Sequence, residues 1–186
     1  MLYDIIQNMK DKSVFVRVTV MTTYKQFLSL NIDSSLISLE KMGYSDYFCY
    51  PTNAKTIGFE GCIMYCFIDG YEETVFACNP ESCADINVYP LAKNFDDFIR
   101  LILACGSANP VEQIVWMNKQ QFEQHLQHEK EIQTTEQKEL LSLLEKELHI
   151  VAMEYPFEYV KELQSDFDYS KIQFSDEYYD ILGIEH

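Results

Sequence analysis

Basic residues are scarce in this chain of 186 residues, with 14 Lys and Arg against 30 Asp and Glu, a formal net charge of −16. A surface with so much negative charge repels the phosphate backbone, which argues against direct nucleic-acid binding. The same charge attracts basic partners and speeds their association through electrostatic steering. Solubility alone explains the charge equally well, and the sequence leaves both explanations open.

Glycine and proline are also few, at 6 and 5 residues, and the chain has a single Trp. Low-complexity sequence and long flexible linkers are therefore not expected. Hydrophobic residues make up 47% of the chain. This composition and length predict one domain with a core large enough to fold without disulfides or metals.

Long apolar runs are absent, so no segment is predicted to span a membrane. The apolar residues at 14–20 alternate as in a strand, and Arg17 interrupts them. No small-residue cleavage site follows, so a signal peptide is not expected and the predicted location is the cytoplasm. Met21 is a second candidate start, which leaves open whether residues 1–20 are native or an extension.

Six cysteines are spread over the first 105 residues, and in a cytosolic protein they are expected to be reduced. They are Cys49, Cys62, Cys66, Cys78, Cys83 and Cys105. A four-thiolate zinc site built from Cys62, Cys66, Cys78 and Cys83 is the less favoured alternative. Cys62 and Cys66 fall inside a predicted strand, whereas zinc ligands usually include a pair on a tight turn. We therefore predict no metal and no cofactor.

Catalytic motifs are missing as well. The chain contains neither a P-loop nor a G-x-G-x-x-G sequence, and no His neighbours a Ser or Cys in a recognisable nucleophile setting. The adjacent carboxylates Asp96 and Asp97 are explained by their position in the first turn of a predicted helix. No catalytic residue is predicted, and we do not expect an enzyme.

The first half of the chain reads as short helices followed by strands. Helices are predicted at residues 24–30 and 34–42, and strands at 61–68, 72–78 and 86–89. Asp69-Gly70 is a strong hairpin signal between the first two strands.

The second half reads as helices to its end. They are predicted at residues 95–105, 109–116, 119–131, 135–148, 156–164 and 175–182. Asn94 is the expected N-cap of the first, and Gly106 ends it.

These elements predict an α+β fold, with a twisted mixed or antiparallel sheet of about five strands covered by helices. Residues 1–130 are expected to form the main domain, and residues 131–186 a helical C-terminal extension packed on it. The predicted core consists of large apolar side chains from both halves. They are Phe59, Ile63, Phe67, Val75, Leu91, Phe95, Phe98, Ile102 and Leu144.

Residues 56–92 carry no Lys or Arg but six acids, a field of one sign. One interpretation is a solvated rim, and the other is a docking face for a basic protein partner, with Tyr71 and Phe76 as aromatic anchors. The candidate partner-binding residues are Asp69, Tyr71, Glu72, Glu73, Glu81 and Asp85.

Residues 88–98, which read VYPLAKNFDDF, are the most distinctive stretch. They resemble the strand-to-helix passage of the SUKH superfamily, which joins a fungal cell-wall synthesis regulator to many bacterial proteins. A large share of those bacterial proteins are immunity proteins against polymorphic toxins. The matching positions are Pro90, Leu91, Ala92, Phe95, Phe98 and Leu101. The likeness covers roughly residues 34–127.

The resemblance implies a protein-binding domain without a cofactor, most simply an immunity protein against a polymorphic toxin. The acidic balance of the chain fits a partner that is itself basic, as nucleases tend to be. An intracellular regulator or scaffold, like the fungal member, is the alternative, and a zinc module is the third. The identity of the partner and the oligomeric state stay open.

Overall fold

The computed structural model describes residues 22–43, 47–82 and 86–183, and all structural statements below concern these ranges. In chain order the helices are α1 (Thr23–Ser29), α2 (Phe95–Cys105), α3 (Ala108–Gln113), α4 (Lys119–Ile132), α5 (Thr135–Leu148), α6 (Pro156–Ser165) and α7 (Asp176–Leu182). The strands are β1 (Ala54–Glu60), β2 (Ile63–Ile68), β3 (Val75–Cys78) and β4 (Val88–Ala92). The predicted α+β class is confirmed.

The four strands form one antiparallel sheet in sequence order. The predicted Asp69-Gly70 turn lies between β2 and β3, and Gly70 adopts a φ of 100°, a conformation that glycine reaches without a steric cost. The sheet has four strands in the described ranges, where about five were predicted. The strand-like residues 14–20 lie outside those ranges.

Alternation along β2 and β3 gives the sheet two buried faces, each with its own cluster of apolar side chains. One face carries Tyr65, Val75 and Ala77, which pack in the main core against the helices. The other carries Met64, Cys66, Ile68, Phe76 and Cys78, which form a second cluster. The sheet is thus covered on both sides, and short apolar runs in the sequence reflect this double burial.

Helix α2 forms the centre of the main core. Its N-cap is Asn94, whose side chain accepts a hydrogen bond from the Asp97 amide at 2.8 Å. Gly106 ends the helix with a φ of 96°. Phe98 is fully buried on the face that packs against Tyr65 of the sheet, with the ring centroids 5.8 Å apart.

The C-terminal helices contribute to this same core. Leu144 of α5 and Val160 of α6 are fully buried in the cluster that contains Phe98. Helix α6 is tied to the passage from β4 to α2, because the Tyr159 hydroxyl accepts a hydrogen bond from the Lys93 amide and donates one to Asp97. Residues beyond 130 therefore complete the helical layer.

The second face of the sheet is covered by residues 167–174, which follow α6 and are here called the C-terminal strap. Phe167, Ile172 and Phe174 pack on the second cluster. The Thr52 amide donates to the Gln173 carbonyl at 2.7 Å, which anchors the strap to the segment before β1. No helix in the described ranges is long and apolar enough to cross a membrane.

Two sequence-based expectations need correction. Seven of the nine predicted core residues are buried, whereas Phe59 and Phe67 are only partly so. The helix predicted at 34–42 is a single 3-10 turn, Ser34–Ile37. Ser38 ends that turn in the left-handed conformation, and Glu40 then pairs with Phe59 as an isolated bridge. Pairing with the sheet therefore replaces the helical continuation.

Candidate functional site

Three of the predicted partner-binding acids meet at one place. Asp69, Glu72 and Glu73 lie on the exposed turn between β2 and β3 and line an open cavity of about 250 Å³. Asp96, in the first turn of α2, lines the same cavity. We call this the acidic cavity. It joins a hairpin turn to a helix that begins 22 residues after Glu73.

The hairpin turn presents its acids through an unusual backbone. The Asp69 amide donates to the Asn53 carbonyl at 3.0 Å, and the Tyr71 amide donates to the Ile68 carbonyl at 3.2 Å. Glu72 then adopts a φ of 55°, in the left-handed region that costs a residue with a side chain about 1–2 kcal/mol. Glycine would relieve this cost, so the position keeps a carboxylate at the expense of backbone strain.

Aromatic side chains form the floor of the acidic cavity. Tyr24 packs edge-on against Phe67, with ring centroids 5.1 Å apart, and against Phe95 at 4.9 Å. Phe95 is buried, while Tyr24 and Phe67 are partly exposed toward the cavity. Burial raises the pKa of the Tyr24 hydroxyl above its ordinary value. The floor is held by mutual ring packing before any ligand arrives.

Negative charge in the acidic cavity is only partly compensated. Among the described residues that line it, Lys55 alone is basic, against four carboxylates. Lys55 lies directly opposite Phe67 in the pairing of β1 with β2. In the described part of the chain, none of the four acids forms an ion pair. An aromatic floor under unpaired carboxylates suits a cationic group.

Tyr71 and Phe76 are not exposed anchors, which corrects the sequence-based expectation. Both are buried under the C-terminal strap, and their rings pack against Phe167 at 5.3 and 5.5 Å. The Tyr71 hydroxyl accepts a hydrogen bond from the Lys171 amide at 2.8 Å. These rings stabilise the fold, and the aromatic groups that do border the hairpin acids are Tyr24 and Phe67.

The remaining two predicted acids lie elsewhere. Glu81 is exposed in the loop between β3 and β4, where its amide donates to the Asn79 side chain at 3.0 Å. It does not line the acidic cavity. Asp85 lies outside the described residues. Of the predicted site, only the three hairpin acids line the acidic cavity. Asp96 and the aromatic floor line it as well, and neither is predicted from the sequence.

A second polar cluster, also not predicted, surrounds the fully buried carboxylate of Glu112 in α3. Its Oε1 accepts hydrogen bonds from the Tyr89 hydroxyl, from Asn79 Nδ2 at 3.0 Å and from Trp116 Nε1 at 3.1 Å. Its Oε2 accepts one from Gln113 at 2.7 Å. With four donors, this carboxylate is satisfied and fastens α3 to β4 and to the loop after β3.

Glu60 lies close to this cluster and shares its electrostatics. It accepts hydrogen bonds from Asn109 at 2.7 Å and Ser38 at 3.0 Å. Burial raises the pKa of the Glu60 carboxyl, and the charge of Glu112 adds to the effect. Each of the two carboxylates is hydrogen-bonded inside the fold, so both glutamates help to hold the surrounding elements together.

The cysteines do not form the zinc site considered above within the described residues. No group of three or more His, Cys, Asp or Glu side chains in these ranges is arranged to hold a metal ion. Cys66 and Cys78 are buried with their sulfurs 3.6 Å apart, and burial raises the pKa of the Cys78 thiol. Cys83, the fourth ligand of that hypothesis, lies outside the described residues.

No protein-family model, curated protein or solved structure matches this chain. The resemblance to the SUKH superfamily remains a prediction based on residues 88–98 and their surroundings.

Proposed function

We propose that this protein is a cytosolic, non-enzymatic binding domain that neutralises a basic toxin domain, as an immunity protein does. The observation that carries the proposal is the acidic cavity, where Asp69, Glu72, Glu73 and Asp96 surround an aromatic floor with only Lys55 in partial compensation. The net charge of −16 acts in the same direction. Nucleases are basic because they bind phosphate backbones, so an acidic inhibitor complements them.

Neutralisation requires only that the basic surface of the toxin be covered. The hairpin acids are exposed, so they attract the partner before contact, and the preformed aromatic floor limits the entropy lost on binding. The SUKH resemblance supports the same class of function.

The test is co-expression with the C-terminal domain of the protein encoded directly upstream, in cells that this domain kills. We expect survival with the wild-type chain and recovery of the two proteins as one complex. The variant with Asp69, Glu72 and Glu73 replaced by Lys should lose protection. A matched variant with Glu139, Glu145 and Glu162 replaced by Lys should keep it, because these acids are exposed and lie outside the acidic cavity.

Two results would contradict the proposal. If the upstream domain is not toxic, or if the wild-type chain neither protects the cells nor binds it, the protein is not the immunity partner of that domain. If both triple variants lose protection equally, net charge alone matters and the acidic cavity is not the docking site.

A further inference from the structure

We infer that the acidic cavity accepts one arginine side chain of the partner. This inference rests on the proposed function for its biological setting, but the cavity and its chemistry are tested below without any partner protein. The reasons are the volume of the cavity, its aromatic lining and the charged residues around it.

The volume and the floor suit a long side chain with a planar end. A cavity of about 250 Å³ is large enough for one extended side chain and too small for a secondary-structure element. Tyr24 and Phe67 offer apolar surface on which the methylene groups of such a side chain can lie. A planar cation can then stack on an exposed ring face.

The charges favour arginine over lysine. The carboxylates come from two separate elements, three from the hairpin turn and Asp96 from the start of α2, so a ligand that pairs with both elements needs several donors. A guanidinium has five N–H donors in a rigid plane and pairs with carboxylates in a bidentate manner, whereas an ammonium is a strongly hydrated point charge. Stacking on the floor and bidentate pairing with the rim are compatible only for the planar group.

Replacing Lys55 should strengthen arginine binding, whereas replacing the acids should weaken it. It lies in β1 beside Phe67 and lines the same cavity, where its charge opposes the entry of another cation. Its side chain is exposed and makes no ion pair among the described residues, so replacing it does not threaten the fold. Removing this charge should tighten arginine binding, a gain that partial unfolding cannot imitate.

The experiment is a titration of the full chain, uniformly labelled with ¹⁵N, with N-acetyl-arginine N-methylamide, followed by amide chemical shifts. The lysine analogue is the second probe, and the citrulline analogue is the uncharged isostere. We expect millimolar binding of the arginine probe, with shifts concentrated at Asp69–Thr74 and around Asp96. Binding of the lysine probe should be weaker, and citrulline should cause no saturable shift.

Variants then locate the site. Glu72→Gln with Glu73→Gln should weaken arginine binding about fivefold, and Lys55→Gln should strengthen it about threefold, as expected for exposed charge pairs. Glu139→Gln is the control and should change nothing. The inference would be overturned if the citrulline probe bound as tightly as the arginine probe, or if the lysine probe bound more tightly than the arginine probe. It would also be overturned if the Lys55→Gln variant bound the arginine probe no more tightly than the wild-type chain does.

The outcomes separate this inference from the proposed function. If the cavity binds arginine but the chain does not protect cells from the toxin, the cavity is an arginine-binding site and the proposed immunity function is rejected. Protection of cells without arginine binding would leave the function standing and overturn the inference.

Discussion

Tyr89 and Glu112 are 23 residues apart in the sequence, and the Tyr89 hydroxyl donates a hydrogen bond to the Glu112 carboxylate in the interior of the protein. Tyr89 belongs to β4 and Glu112 to α3, so this bond fixes a helix against the sheet. The indole N–H of Trp116 donates to the same oxygen at 3.1 Å and packs edge-on against the Tyr89 ring. The single Trp therefore reports directly on this cluster.

Replacing Glu112 with Gln should lower the free energy of unfolding by about 2–4 kcal/mol. With the Gln carbonyl oxygen at the Oε1 position, Tyr89, Asn79 and Trp116 donate to a neutral and weaker acceptor, and the new amide nitrogen at the Oε2 position meets the Gln113 donor; the reverse orientation leaves all three donors facing a donor. Urea denaturation followed by Trp116 fluorescence measures the loss. Glu123→Gln on the exposed side of α4 is the control. A loss below about 0.5 kcal/mol would show that the cluster does not stabilise the fold.

Sequence reasoning predicted the elements whose signals are local. The hairpin follows from Asp69-Gly70 between two apolar runs, and α2 follows from Asn94 and Gly106 at its ends. These signals act within a few residues, so the structure confirms the elements.

The Glu112 cluster and the C-terminal strap could not be predicted in the same way. The donors to Glu112 come from β4, from the loop after β3 and from α3 with the turn that follows it. The strap has no helical or strand period, and its bond from the Lys171 amide to the Tyr71 hydroxyl spans 100 residues. Nothing near Tyr71 in the sequence indicates that the strap covers it, so the sequence alone predicts an aromatic anchor at this position.

The acidic cavity was predicted only in part, for a related reason. The hairpin acids are contiguous in the sequence and are predicted together, whereas Tyr24 comes from α1, before the sheet in the sequence, and Asp96 from α2, after it. Asp96 already had a sufficient local explanation at the start of α2, where negative charge is favoured. Only the folded chain brings it to the same cavity as the hairpin acids.

The pH dependence of stability should reveal Glu60. Burial raises the pKa of its carboxyl above the value in the unfolded chain, so the folded state holds this proton more tightly. The stability that this tighter proton binding adds to the folded state is fully present below the pKa of Glu60 in the unfolded chain. It is lost as the pH rises through the pKa of Glu60 in the folded chain. In Glu60→Gln this loss is absent.

We therefore expect the stability of Glu60→Gln relative to wild type to increase between pH 4 and pH 7. The quantity to compare is the slope of the unfolding free energy against pH in the two proteins. Absolute stabilities are not compared, because Gln also changes the hydrogen bonds with Asn109 and Ser38. Urea denaturation at several pH values provides it. A constant difference across this range would mean that the Glu60 carboxyl titrates alike in the folded and unfolded states.

Loosening the C-terminal strap should expose the second face of the sheet. Phe167→Ala removes a ring that packs against both Tyr71 and Phe76, at an expected cost of about 2 kcal/mol for this partly buried residue. Cys66 and Cys78 lie fully buried in that cluster and should then react faster with iodoacetamide. Alkylation rates by mass spectrometry test this, with the exposed Tyr155→Ala as control. Unchanged rates would show that the strap does not protect the cysteines.

Replacing Glu72 with Gly should stabilise the protein and weaken partner binding together. Glycine adopts the φ of 55° without steric cost, and its greater freedom in the unfolded chain offsets part of that gain. The net increase in unfolding free energy should be about 0.5–1 kcal/mol. Thermal unfolding measures it, with Glu73→Gly as the neighbouring control. A destabilised Glu72→Gly variant would mean that the carboxylate makes a stabilising contact in the free protein.

If the proposed immunity function holds, association with the basic partner should depend on salt through the acidic cavity. Exposed charges are screened beyond about 10 Å at 0.1 M ionic strength, so the association rate of the wild-type chain should fall as salt rises. The variant Asp69→Lys, Glu72→Lys, Glu73→Lys should associate at least about tenfold more slowly at low salt and lose most of this salt dependence.

The variant Glu139→Lys, Glu145→Lys, Glu162→Lys changes the net charge equally at exposed positions outside the cavity, so it should retain a steep salt dependence. Stopped-flow kinetics at two salt concentrations gives the rates, and unfolding curves check that both variants fold, because exposed charges contribute little to stability. Steering depends on where charge lies relative to the docking face, whereas a net-charge effect does not. Equal slowing of both variants would therefore assign the attraction to the whole protein. No slowing of the hairpin variant would place the interface away from the acidic cavity.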